Sequence, residues 1–282
     1  MVSFSKQAKG GVKERKFKLE YSVFKEWKPD TPESLEKMLK SDFSQWKCGR
    51  FIKDEYELEE VKKVVSAHIG PLKEVFHMLA ARSSYPGIGW NEFTSWAQHV
   101  KLPDDKCPMS TIDRAFIAAN VVLEGGAKGS DNHGLNRFQF LEILVRLSKA
   151  KFLETGLADK IAEALSMLVA QILKFEGRAE WQGFREQQLW TVAVNDLMEP
   201  NIPGLKLLYE KFFESSKRFM DFKDADTLFH KQTGILGKDS DVTYCFALSK
   251  MTVVKESESA FYNRLSFAEF LEMVGRVAYF KF

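Results

Sequence analysis

The stretch "LNRFQFLEILVRL", Leu135 to Leu147, returns near the C-terminus as "LSFAEFLEMVGRV", Leu265 to Val277. Aligned without gaps, the two share Leu135/Leu265, Phe140/Phe270, Leu141/Leu271, Glu142/Glu272 and Arg146/Arg276. A chain that repeats a helix-length unit must also repeat the packing that buries it, so a duplication restricts architecture more than any single motif. Its neighbours repeat too. "FIKDEYELEEVKKVVSAHIGPLKEVF", from Phe51, lies over "FREQQLWTVAVNDLMEPNIPGLKLLY", from Phe184, at an offset of 133 residues. "SSYPGIGWNEFTSW", from Ser83, lies over "SSKRFMDFKDADTL", from Ser215, and places Ile88 over Met220 and Glu92 over Asp224. The order of matches is kept throughout, as small loop changes after a duplication would leave it.

Helical periodicity runs through both copies. Phe267, Phe270, Leu271, Val274 and Val277 recur at the spacing of one helix face, and Ile161, Leu165, Leu168, Val169, Ile172 and Leu173 make an apolar stripe between the copies. Thr31 before Pro32 reads as an N-cap with proline in the first turn. Stretches alternating apolar with polar residues are absent, so the expected fold is all-α. The expected organisation is a basic N-terminal arm and helix over 1–47, a first lobe over 48–150, a connecting helix within 151–179 and a homologous second lobe over 180–282.

With 45% hydrophobic and 28% charged residues among 282, the chain has the profile of a globular protein with real cores. Cys48, Cys107 and Cys245 stand far apart with no CxxC spacing, which argues against a disulfide framework or a zinc site and fits a reducing compartment. The five histidines are dispersed without HExxH, "GGAKGS" lacks the spacing of a phosphate loop, and GxSxG is absent. Catalysis therefore has no foothold, and no cofactor is expected. No run of 18 apolar residues and no apolar leader is present, so the expected location is cytoplasmic, without a membrane partner.

Net charge is only +2, but residues 1 to 28 carry +5 of it. Lys9, Lys13, Arg15, Lys16 and Lys18 in this arm are candidates for contact with an acidic partner surface, and Trp27, with Phe17, Tyr21 and Phe24, would add burial to the charge. The same aromatics could instead dock the arm on its own body.

Each lobe then reads as paired helix-loop-helix units. An aliphatic residue at the end of each loop is followed at the fifth position by Phe: Ile88 with Phe93, Leu135 with Phe140, Leu265 with Phe270. This resembles the EF-hand, whose twelve-residue loop has an aliphatic residue at position 8 and an acid at position 12 before an exiting helix that starts with Phe. The resemblance covers about 200 residues; an unrelated helical repeat is the alternative. It implies that Ile88 bridges to Leu135 and Met220 to Leu265 between paired loops, with Phe93, Phe140 and Phe270 in the cores.

The ligand positions depart from that pattern. Counted back from position 8, position 1 holds Ala81, Lys128, Phe213 and Glu258 in the four loops, and position 12 holds Glu92, Gln139, Asp224 and Glu269. Calcium wants six to eight oxygens, so no calcium is expected to bind; the loop with Glu124 and Asp131 is the one place where a reshaped site is conceivable. The resemblance implies a non-catalytic structural or adaptor protein that binds other proteins without calcium. Degenerate paired EF-hands with "RFQFLE"-like exiting helices are similar to components of ciliary and flagellar axonemes. That implies tubulin or axonemal proteins as partners, with no nucleic acid. The alternative is a soluble calcium sensor that grips amphipathic helices.

Overall fold

The computed structural model describes residues 15–121, 134–175, 180–213, 217–255 and 259–282. The fold is all-α. Helix α1, Pro32–Ser44, begins where Thr31 and Ser34 cap each other reciprocally, and α2, Glu55–Ala67, begins at Asp54, whose carboxylate accepts the Tyr56 N–H. Next come α3, Ile69–Ala81, and α4, Trp90–His99; then α5, Met109–Asn120, and α6, Arg137–Ser148. The first core is closed by α7, Ile161–Phe175. After it come α8, Glu180–Phe184, α9, Val192–Met198, α10, Ile202–Glu210, α11, Phe222–Asp226, α12, Asp239–Leu248, and α13, Phe267–Lys281.

Wide, five-residue-type turns extend α6, α8 and α11 over Lys149–Leu153, Arg185–Leu189 and Thr227–Gln232. Among the described residues, β pairing is confined to two places. The strands β1, Met220–Asp221, and β2, Arg264–Leu265, pair antiparallel with Met220 opposite Leu265, and Ile88 forms an isolated bridge with Leu135.

Two apolar cores follow the halves of the sequence. The first collects Met38 of α1, Val61 and Val65 of α2, Leu72 and Phe76 of α3, Phe93 of α4, Ile112 and Phe116 of α5 and Phe140 and Leu144 of α6. The stripe of α7 belongs to it as well: Ile161, Leu165, Leu168, Val169 and Ile172 are buried against α2 and α6. The helix read as a connection is thus a wall of the first core, because a stripe this apolar has to be covered. The second core gathers Tyr209, Met220, Leu228, Phe229, Val242, Phe246, Leu265, Phe270 and Val277.

Phe93, Phe140 and Phe270 are fully buried, as are the bridge residues Ile88, Leu135, Met220 and Leu265. Ile88 and Leu135 exchange N–H to O hydrogen bonds of 2.9 and 2.8 Å. Gly134 makes this bridge possible, since a Cβ there would lie 2.8 Å from the Ile88 carbonyl oxygen. The second half solves the same crossing differently. Phe219 and Arg264 precede its bridging residues, and the Arg264 guanidinium stacks 4.4 Å from the Phe219 ring centroid.

Candidate interaction cleft between the halves

The two cores meet where α3 packs against α12 and α8. Ala81, Trp181, Ala247 and Leu248 are buried in this seam. Tyr85 crosses it: its hydroxyl donates to the Tyr262 carbonyl at 3.0 Å, and its ring stands edge-on to Phe246 and Tyr262. Arg137, at the first position of α6, donates to both oxygens of Asp42 at 2.7 and 2.9 Å and to the Val253 carbonyl at 2.8 Å, binding α1 to the second half. Tyr85 is half-buried, whereas Arg137 and Asp42 are out of water, where charge-assisted bonds have their greatest directional effect.

Lys73 of α3 pairs with Asp30, donates to Thr252 Oγ1 at 2.7 Å and lies 4.3 Å from the Trp181 ring centroid. Burial pulls its ammonium down to about 8, against the opposing attraction of Asp30. One turn on, the His77 ring meets Trp181 edge-on at 4.9 Å. Burial, reinforced by the positive charges of Lys73, Arg185, Arg137 and Arg276, holds His77 well below its usual range, so it is neutral at pH 7.

Arg185 is the deepest cation of the seam. It is fully buried, with its guanidinium between the rings of Trp27 and Trp181 at 4.3 and 4.2 Å. Its Nε donates to Glu272 at 2.8 Å and its Nη2 to the Leu248 carbonyl at 3.1 Å. Arg276 donates to the other Glu272 oxygen at 2.8 Å and to the Trp181 carbonyl at 2.7 Å.

Beyond the end of α3 the seam opens into a cleft of about 790 Å³. Phe184, Tyr244, Tyr279 and Phe280 line it, with Gln187, Gln188 and Asp241 among its polar members. Tyr279 leans on Phe184 at 5.2 Å and Phe280 on Tyr244 at 6.0 Å, yet both α13 aromatics stay exposed, as does Phe282 beyond them. Cys245 borders the cleft, but burial pushes its thiol up to about 12, so it carries no thiolate at neutral pH. Ser83, Ser240 and Thr243 also line it, and among the described residues no histidine does.

The basic arm divides. Lys9 and Lys13 lie outside the described residues; Lys16 and Lys18 are exposed. Arg15 pairs with Asp196. Trp27 corrects the expectation of a partner-binding residue: it is 5% exposed and meets Trp190 edge-on at 6.4 Å as well as Arg185. With Phe24 fully buried beside Phe184, Leu189 and Leu271, and Phe17 packed on the same cluster, most of the arm's aromatics are spent on the chain's own second half; Tyr21 alone of the four stays exposed.

Glu124, Asp131 and Lys128 also lie outside the described residues. Among those described, no group of three or more His, Cys, Asp or Glu side chains is gathered for a metal ion, and no helix is long and apolar enough to cross a membrane. Arg185, Lys250 and Gly134 are not singled out by the sequence, and Lys217 stands out only as a side-chain position of the third loop. Gly134 nonetheless had a visible signal of its own: Gly87 and Gly134 both immediately precede the bridging aliphatics of the first half.

Comparison of the chain with protein-family models, with curated proteins and with solved structures finds no match.

Proposed function

We propose that the chain is a non-catalytic structural or adaptor protein that binds a helix of another protein in the cleft between its halves, without calcium. The cleft carries this reading. An aromatic wall of Phe184, Tyr244, Tyr279 and Phe280 beside Gln187, Gln188 and Asp241 suits a segment whose own surface is split into apolar and polar faces. Exposed aromatics grouped around one concavity are typical of protein interfaces rather than of inert surface. The chemistry of the cleft supports binding over catalysis, since its thiol is held protonated and its hydroxyls have no lining histidine to activate them.

The finer reading takes the halves as homologous lobes of paired, degenerate EF-hand-like units, supported by the Ile88–Leu135 and Met220–Leu265 pairings and the buried Phe that follows each. Placement as a microtubule-associated component of the ciliary or flagellar axoneme rests on the resemblance of the exiting helices, with exposed Lys16 and Lys18 suited to an acidic surface. The test is co-sedimentation with purified microtubules in EGTA and in calcium. Equal sedimentation in both, reduced severalfold by Tyr279→Ser with Phe280→Ser, is the expected result. Sedimentation only in calcium would favour the calcium-sensor alternative, and none in either buffer would remove the microtubule placement.

A further inference from the structure

Lys217 and Lys250 belong to different elements, yet each ends in the same kind of place. Lys217 pairs with Asp224 and donates to Asp221 Oδ2 at 2.9 Å. Asp221 and Asp224 are in turn locked together, each accepting the other's backbone N–H at 3.0 and 2.9 Å. Lys250, just beyond α12, donates to the Arg264 carbonyl and reaches Glu269 Oε1 at 2.8 Å. Both partners of this second pair are about 95% buried.

Loop register gives these contacts a common meaning. With Met220 as position 8 of its loop, Asp221 and Asp224 are positions 9 and 12. With Leu265 as position 8, the Arg264 carbonyl is position 7 and Glu269 is position 12. Positions 7, 9 and 12 are among those that supply oxygen to a divalent ion in a loop of this kind, 7 through its backbone carbonyl and 12 through its carboxylate. We infer that the second half carries its own loop cations: the ammonium groups of Lys217 and Lys250 occupy the two ion positions, one per loop.

A surface ion pair is a poor account of this. Burying Lys250 with Glu269 costs desolvation of both, which is offset only if the ammonium finds oxygens arranged around it. The two lysines reach their oxygens by separate routes, one from inside the loop and one from the segment just after α12. In the first half the position-12 residues are Glu92, whose carboxyl is pushed up from its usual range by burial, and Gln139, a neutral amide that needs no counter-cation. Tethered ammonium groups cannot be diluted away or removed by a chelator, so the loop pair of the second half stays in one cation-filled state at any calcium level. This deepens the calcium-independent reading above and rests on the same loop register.

Thermal melting at neutral pH tests it on the full chain, as wild type, Lys217→Ala and Lys250→Ala, with EDTA, millimolar calcium or methylammonium added. The wild-type melting temperature is expected to ignore all three. Lys217→Ala should melt several degrees lower, and calcium or methylammonium should restore at least half of the loss, because a cation that binds the folded state raises its stability. Adding Asp224→Asn to Lys217→Ala should abolish the restoration. Lys250→Ala should behave like Lys217→Ala where it folds; Lys217, with 17% of its side chain exposed, is the variant that tolerates truncation. A melting temperature unchanged in Lys217→Ala, a loss that neither cation reverses, or a wild type that calcium stabilises would overturn the inference. The readout is stability rather than partner capture, so its failure stands apart from any failure to bind microtubules.

Discussion

Glu142 and Glu272 lie 130 positions apart, and each, fully out of solvent, holds the arginine one helical turn further on at 2.8 Å. The duplicated Glu-x-x-x-Arg therefore turns inward on both helices, buried at both ends in α13 and at its glutamate end in α6. Removing one partner of such a pair leaves an uncompensated buried charge, which costs about 3–5 kcal/mol. Glu272→Ala should reach that range, because Arg185 and Arg276 are both buried around it. Glu142→Ala should cost less, since Arg146 keeps 21% of its side chain in water. Urea unfolding of both variants measures the difference.

Gly134 and Gly70 give opposite expectations for the same substitution. A Cβ at Gly134 meets the backbone of Ile88, so Gly134→Ala must push the loop bridge apart and should cost roughly 1–3 kcal/mol. A Cβ at Gly70, in the first turn of α3, meets nothing within 4 Å. Gly70→Ala should be neutral or stabilising by about 0.4–1 kcal/mol, through the unfolded chain. Denaturant midpoints of the two variants provide the comparison.

His77 makes the seam sensitive to acid. Its folded state excludes the proton that the unfolded chain binds near pH 6.5, so the unfolded state binds more protons below that value. Stability should be intact above pH 6.5 and fall progressively as pH drops from 6.5 towards 5. The His77 Nε2 has no hydrogen-bond partner among the described residues, so His77→Phe keeps the ring contact and should flatten that part of the profile. Melting temperatures of wild type and variant at pH 7.5 and 5.5 are the check.

The buried position of Trp27 reverses what a free arm would do on truncation. Trp27→Ala opens space between Trp190 and the Arg185 guanidinium and should cost about 3–5 kcal/mol, the usual range for a core aromatic. Deleting residues 1–28 should lower the melting temperature at least as much, because Phe24 goes too. Calorimetry on both forms decides it.

The all-α class and the loop pairings were legible because both follow from spacing. The interval from bridging aliphatic to Phe is fixed by the turn that starts the helix, and Leu135 and Phe140 sit where that interval puts them. What escaped were contacts between elements far apart in the chain. Nothing in the local pattern of Arg185 marks it as buried between Trp27 and Trp181, because that position is set by tertiary docking of the arm and α3, or of Lys250 as facing Glu269, because that contact is set by how α12 and α13 pack within the second half. Trp27 was misjudged for a related reason: an aromatic among lysines fits an outside partner and an inside one equally well. The burial of α7 against α2 and α6 also depends on tertiary packing, although its stripe was plain.

We propose that the halves form one binding unit whose geometry does not answer to calcium. Spin labels on Ser95→Cys in α4 and Lys206→Cys in α10, both exposed, can report the distance across the seam, since Cys48, Cys107 and Cys245 are buried. Pulsed dipolar spectroscopy in EGTA and in millimolar calcium should give one narrow distance distribution, the same in both. A broad distribution in EGTA, or a distance that shifts when calcium is added, would contradict the claim.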